Sequence, residues 1–305
     1  MSKLIPITSR VAYLPGAVNL GLIFGENGQA VTVDSGLDGE AARKLRRAVE
    51  SEGYRVVTVI NTHSHADHCG GNQYLVEKAG ARALASGFER AFIENPLLEP
   101  VMLFSGAYPP PGMRTRFLMA EPSPVHLTVE EGPLEIAGCS LELVKLPGHA
   151  FGQIGVSFDG VLFAGDAFFG AEVIEKHKVP FMVSPNMALD SLSRVAGRSE
   201  HTLIPGHGPL CRAGDEITET LEANTSRILL VRSLVESALT APVDEAEVVR
   251  QVCSSLSLEP RGEGFYHLIR TAIVSYLGWL ASDGRASMTF ERGVMKWQSS
   301  ETGEL

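Results

Sequence analysis

Asn61-Thr62-His63-Ser64-His65-Ala66-Asp67-His68-Cys69-Gly70-Gly71 packs three histidines and an aspartate into six positions. It follows directly on a β-branched run, Val56-Val57-Thr58-Val59-Ile60, which reads as a strand. A loop leaving a strand end can turn such side chains toward one point. Neutral imidazole and carboxylate are the donors that zinc and its neighbours take. A chance surface cluster would need no further donors elsewhere in the chain, so the rest of the sequence decides between the two readings.

Further donors occur in loops of the same build. His149 ends Leu146-Pro147-Gly148-His149, after an expected strand Leu141–Leu146. Asp166 ends Phe163-Ala164-Gly165-Asp166, and His207 sits in Ile204-Pro205-Gly206-His207-Gly208. Each is a ligand-type residue beside a glycine at the end of an apolar run, where the backbone can turn tightly. A lone histidine is usually a surface residue or a satisfied core one; four separate loops of one design point to a metal site.

The set resembles the metallo-β-lactamase superfamily. His63-Ser64-His65-Ala66-Asp67-His68 matches its HxHxDH motif, the later His149, Asp166 and His207 match its remaining ligands, and Asp34, in Val31-Thr32-Val33-Asp34-Ser35-Gly36, matches its early aspartate. The resemblance covers roughly residues 10–212 and implies an α/β fold, an αβ/βα sandwich of two facing sheets with helices outside. It implies two divalent metal ions, zinc first, with iron or manganese as alternatives. One ion would be held by His63, His65 and His149, the other by Asp67, His68 and His207, with Asp166 bridging and Asp34 supporting the loop from behind. Water or hydroxide would complete each site, with Asp67 orienting the nucleophile. The implied chemistry is hydrolysis of an ester, thioester or lactone by a glyoxalase II-like enzyme. An endoribonuclease and a mononuclear iron persulfide dioxygenase are the alternatives. An aspartate at position 166, where β-lactamases carry cysteine or serine, and a histidine at 65, where flavin-dependent relatives carry glutamate, set those branches aside. The run Ala150-Phe151-Gly152-Gln153 departs from glyoxalase II, which has threonine and a second histidine there.

Outside the motifs, further strands are expected at Val18–Phe24, Gln29–Val33, Arg55–Asn61, Ile154–Phe158 and Val161–Ala164. A helix is expected after Asp38-Gly39, with Ala41, Leu45, Ala48 and Val49 on its apolar side and Gly53 ending it. Residues 95–124 are proline-rich and aperiodic, with Phe104, Tyr108, Met113, Phe117 and Met119 looking exposed, so this insertion is expected to form a lid or pocket wall. Phe104, Tyr108, Phe117, Phe168, Phe169 and His177 are the expected pocket residues. Residues 1–212 are expected to form the catalytic domain. Residues 213–305 carry three helical patterns, Ile217–Leu239, Glu245–Leu256 and Phe265–Ala281, then a hairpin around Glu291-Arg292-Gly293, and resemble a winged-helix appendage.

The 305 residues are 44% apolar and 20% charged, with a net charge of −10, a composition that supports a packed core. That charge, without a Lys/Arg-rich run, argues against nucleic acid, and the resemblance implies a small-molecule acyl substrate as the partner. The four cysteines are scattered, and neither a secretory signal nor an apolar run of membrane-spanning length is visible. A cytoplasmic protein is the expectation, with a homo-oligomer possible through its apolar surfaces.

Overall fold

In a computed structural model, which describes residues 3–300, the β-branched runs form two sheets. The first contains, in spatial and chain order, β1 (Ile5–Pro6), β2 (Val11–Leu14), β3 (Leu20–Phe24), β4 (Gln29–Val33), β5 (Arg55–Ile60), β6 (Arg82–Ser86) and β7 (Leu127–Val129). Strands β1 to β4 pair antiparallel, and β4 to β7 pair parallel. The second sheet holds β8 (Gly132–Ile136), β9 (Cys139–Lys145), β10 (Ile154–Phe158), β11 (Val161–Gly165), β12 (Thr202–Pro205) and β13 (Cys211–Arg212). Only its β11–β12 pair is parallel. Central strands such as β4, β5 and β11 are covered on both faces, which is why their sequences run apolar without alternation.

The sheets face each other across Val11, Ile23, Val31 and Ile60 from the first and Leu143, Val156, Phe163 and Ile204 from the second. Behind the first sheet lies the helix Gly39–Ser51. The Asp38 side chain accepts from the N–H groups of Glu40 and Ala41 at its N-terminus, and Gly53, at φ +83°, follows its end. Its buried stripe is Ala42, Leu45 and Val49; the expected Ala41 and Ala48 flank it half-buried, a small rotation of the apolar face. Behind the second sheet, Leu162 and Leu203 pack under Ala188, Leu192 and Val195 of the helix Pro185–Ala196. The resulting α/β architecture is the αβ/βα sandwich.

The same outer core runs on without a break into Ile228, Val231, Tyr276 and Leu277 of the C-terminal helices. These helices span Asp215–Ser237, Glu245–Ser255 and Glu263–Ser282, and are followed by the hairpin β14 (Ala286–Glu291) and β15 (Val294–Ser299). Pairing of Glu291 with Val294 leaves a turn of Arg292 and Gly293 alone, one residue shorter than the expected turn. Both have positive φ, the two-residue turn whose twist suits a hairpin. Val243, between the first two helices, forms a single antiparallel bridge to Trp297.

The 95–124 segment is less irregular than its sequence suggests. It contains the helix Leu98–Leu103 and a 3-10 turn at Pro111–Met113. Met113, expected to be exposed, is fully buried. The segment is tied to the helix Glu263–Ser282: Arg270 donates to Ser105 Oγ at 3.0 Å, and the rings of Phe104 and His267 meet edge to face at 5.2 Å. Long-range packing of this kind leaves no periodicity to read.

Candidate metal centre

The ends of β4, β5, β9, β11 and β12 all reach one edge of the sandwich, and each carries a residue that the motifs single out. The loop after β5 makes one short helical turn, Ala66–Cys69. A buried amide network holds it: Asn61 and Asn72 exchange hydrogen bonds of 2.7 and 3.1 Å, and Ser35 donates from its backbone N–H to the His68 carbonyl at 2.8 Å. Cys69 is buried beneath, its thiol donating to the Ser64 carbonyl, in keeping with a structural thiol.

The structure brings His63, His65, Asp67, His68, His149, Asp166 and His207 together. Donor atoms fall within 4.8 Å of one another in three groups: His63, His65 and His149; His63, His68 and Asp166; and Asp67, His68 and His207. Asp166 lies between the outer groups. Its Oδ2 is 3.4 Å from His149 Nε2 and 3.5 Å from His207 Nε2, and its Oδ1 is 3.4 Å from His68 Nε2. Gly206 makes room for it, since a Cβ there would fall 2.1 Å from Asp166 Oδ1.

The far side of each ring is held by a second partner, which fixes the nitrogen turned inward. His149 Nδ1 is 2.8 Å from the Phe181 carbonyl, and His207 Nδ1 is 2.7 Å from that of Ala17. His63 Nδ1 meets Thr62 Oγ1 at 3.0 Å. His68 Nδ1 meets Asp34 Oδ2 at 2.7 Å, while Asp34 also accepts from the Thr62 N–H and hydroxyl. Asp34 therefore stands behind the ring of His68 and outside the donor cluster. His65 is turned the other way: its Nδ1 is 2.8 Å from His149 Nε2, and its Nε2 faces Glu99 Oε1 at 3.7 Å.

Three buried atoms, His63 Nε2, His68 Nε2 and Asp166 Oδ1, have no hydrogen-bond partner although they point into the cluster. Buried polar groups left this way are costly, and a cation among them would satisfy all three. Protonation preferences agree. Burial drives His63 and His149 down and takes His65 down to about 3, so these imidazoles are neutral donors. Burial opposes ionisation of Asp67 and Asp166, yet the surrounding histidines, His68 and His207 above all, hold both carboxyls well below the usual range. At His68 and His207 burial is outweighed by Asp166 and the other carboxylates, and both are raised. The acidic side of the cluster thus demands positive charge. The residues present fit divalent metal ions.

Two buried carboxylates beside the cluster escape sequence reasoning. Glu89, buried in the helix Gly87–Glu94, accepts from the Ser64 N–H at 2.9 Å and hydroxyl at 2.5 Å, and from the Gly152 N–H at 2.8 Å. It links the HxHxDH loop to the loop after His149. Glu99, in the helix Leu98–Leu103, is pushed up to about 8 by burial and by the neighbouring Glu89 and Asp67. Its signal was a single acid in the apolar run 97–103.

A cavity of about 740 Å³ opens onto the donors. Of the expected pocket residues it is lined by Phe117, Phe169 and His177, whose imidazole burial pushes down. The other three lie elsewhere. Phe168 is buried in the core behind the second sheet, Phe104 packs on His267, and Tyr108 is largely exposed with the Arg114 guanidinium over its ring. Adjacent aromatics such as Phe168 and Phe169 point to opposite sides of the chain. The structure therefore places Phe169 on the cavity and Phe168 in the core. The wall that the sequence did not reveal is Phe265, Leu268 and Ile269 of the helix Glu263–Ser282.

Residues 13–207 match the profile of the metallo-beta-lactamase superfamily. The chain belongs to this superfamily. It is similar to a hydroxyacylglutathione hydrolase of Methylobacillus flagellatus, 27% identical over 148 residues, which is 48% of this chain and 46% of that one. A hydroxyacylglutathione hydrolase of Synechococcus is 27% identical over 192 residues, 60% of each chain. This chain spans about half the length of the curated relatives it matches. Among solved structures, a metallo-beta-lactamase family protein of Thermus thermophilus shares the fold at a TM-score of 0.72 and 22% identity, over 97% of both chains. Among the described residues no helix is long and apolar enough to cross a membrane, and the four cysteines are buried and unpaired.

Proposed function

We propose that this chain hydrolyses an ester, thioester or lactone bond, a thioester before the others, with two divalent ions at the sandwich edge. His63, His65 and His149 would hold one ion and Asp67, His68 and His207 the other, with Asp166 reaching both. Zinc suits this imidazole and carboxylate set first, and iron and manganese suit it too. Ions held this way polarise a carbonyl and lower the pKa of water toward about 7. The observation that carries the reading is the convergence of seven donor residues at one end of a largely apolar cavity. The names of the matched relatives point to a thioester.

The chain's own part is binding and orientation. Asp67 is the less buried of the two cluster carboxylates and lines the cavity, where it is ionised and placed to orient an attacking water by accepting a hydrogen bond from it. The neutral His63, His65 and His149 leave their lone pairs to the ion. We read residues 1–212 as the catalytic domain and 213–305 as an appendage that closes the far wall of the cavity, with 95–124 as the lid-like insertion between them.

Elemental analysis of the purified protein, followed by a panel of acyl thioesters, lactones and phosphodiesters, tests the proposal. About two ions per chain with thioester or lactone turnover is the expected result. Turnover of phosphodiesters alone would replace the reading with a nuclease. One iron per chain with oxygen uptake on a persulfide would replace it with a dioxygenase.

A further inference from the structure

The ionisable groups lining the cavity are His65, Asp67, Glu99, His149, Asp166, His177 and His207, with Asp38, Glu40 and Lys44 from the 38–44 segment, and the rest of the lining is largely apolar. Away from His65, Asp67, His149, Asp166 and His207 its wall is built from Leu118 of the 95–124 segment, Val173 and Val179 around the helix Ala171–His177, and Phe265, Leu268 and Ile269 of the C-terminal helix. The charged groups contributed by 38–44 are already engaged. Lys44 pairs with Glu40 at 3.0 Å, and Asp38 caps its helix and faces Arg116 at 3.5 Å. About 740 Å³ lies well inside the range of small-molecule pockets, so the space suits a flexible apolar group as long as the chamber itself.

We infer that this chamber takes the hydrocarbon chain of a linear acyl thioester, and that Phe265, Leu268 and Ile269 form the wall that sets its length. The inference rests on the hydrolase reading for the bond that is cut. In that reaction water's oxygen bonds to the acyl carbon, the carbon–sulfur bond breaks, and the departing thiolate takes up a proton. The products are a fatty acid, seated with its carboxylate at the donor end, and a free thiol. A short acyl group would leave the far wall untouched. Each added methylene buries more apolar surface until the chain meets the helix, which predicts a gain of about fourfold per methylene and then a plateau.

The test uses the full-length, metal-loaded protein and two series. Straight-chain fatty acids from acetate to decanoate are titrated calorimetrically; the carboxylate is constant, so the slope reports the chain alone. The same acyl groups, as thioesters of N-acetylcysteamine, are assayed for turnover. Expected are one fatty acid per chain, an affinity gain of about fourfold per methylene up to a plateau, and a parallel rise in kcat/KM. L268W should bring the plateau to shorter chains and lower the ratio of decanoyl to acetyl kcat/KM. Should that variant fail to fold, Val173→Phe, on the helix Ala171–His177, serves in its place. A flat fatty-acid series, or a plateau that neither variant moves, overturns the chamber. A sloping fatty-acid series with no turnover of any thioester keeps the chamber and removes the hydrolase reading.

Discussion

Glu89 is expected to act as a clamp between two ligand loops, and removing it should damage metal binding from a distance. Its carboxylate takes three hydrogen bonds, two from Ser64 and one from the Gly152 N–H, and the residue is 2% exposed. In Glu89→Ala the Ser64 and Gly152 N–H groups lose a charged acceptor in a part-buried site. Stranding a buried donor costs about 1–3 kcal/mol each, so the gross loss is about 2–6 kcal/mol. Part of this is recovered because a buried carboxylate is itself unfavourable, as the upward push of burial on Glu89 shows. A net loss of about 2–4 kcal/mol is expected, read by urea unfolding of the metal-stripped protein. Because Ser64 sits between two donors and Gly152 lies three residues past a third, both loops loosen. Metal affinity should fall about 10–100-fold in a chelator competition. Glu89→Gln keeps the shape and one acceptor but turns an amide N–H toward Ser64, and should fall between the two. If Glu89→Ala unfolds within about 0.5 kcal/mol of the parent and binds metal within about twofold, the clamp reasoning is wrong.

Three further outcomes are expected. Asp166→Ala should lower the metal content from about two ions per chain to about one and remove most activity; full activity with unchanged metal would exclude a shared carboxylate. Gly206→Ala places a methyl 2.1 Å from Asp166 Oδ1 and 2.6 Å from His68 Cε1, so metal content should drop while the circular dichroism of the sandwich is kept. Glu99, pushed up to about 8 by burial, keeps its proton in the folded state where the unfolded chain has lost it. Metal-free protein should therefore lose stability as the pH rises from the ordinary carboxylate range to about 8, by at most about 1.4 kcal/mol per pH unit. Urea unfolding of Glu99→Gln across that window should lack this slope; an identical slope would place its origin elsewhere.

The strands and the donor cluster were legible because their signals are local. Val161–Ala164 is an apolar run between two glycines and Val56–Ile60 a β-branched one, and strands buried on both faces need nothing more. The helix Gly39–Ser51 announced itself through Asp38 and Gly53. The donors were legible because histidine and aspartate at the ends of successive apolar strands contribute little to packing and much to ligation, and the strand ends then gather at one edge.

The cavity was not legible, for a reason that Phe168, Phe169 and Leu268 make plain. An apolar side chain that lines a chamber and one that fills a core have the same residue type and the same helical or strand period; the difference is whether anything stands opposite. Phe168 meets the helices behind the second sheet, whereas Phe169, one residue on, meets open space beside His149 at a ring separation of 5.7 Å. Leu268 shares a broad apolar helix face with residues that fill the core, such as Ala272 and Tyr276, yet it lines the cavity. The supporting carboxylates fail to show for a related reason. Ser86-Gly87-Phe88-Glu89 has the spacing of a capping box, in which a serine and a glutamate would satisfy a helix start. Here Ser86 does cap its helix, but the glutamate is diverted across the molecule to Ser64 and Gly152. A donor is recognised by what it is, and its support only by what it reaches. The donor cluster could thus be read before the fold was known, and the residues that surround it only afterwards.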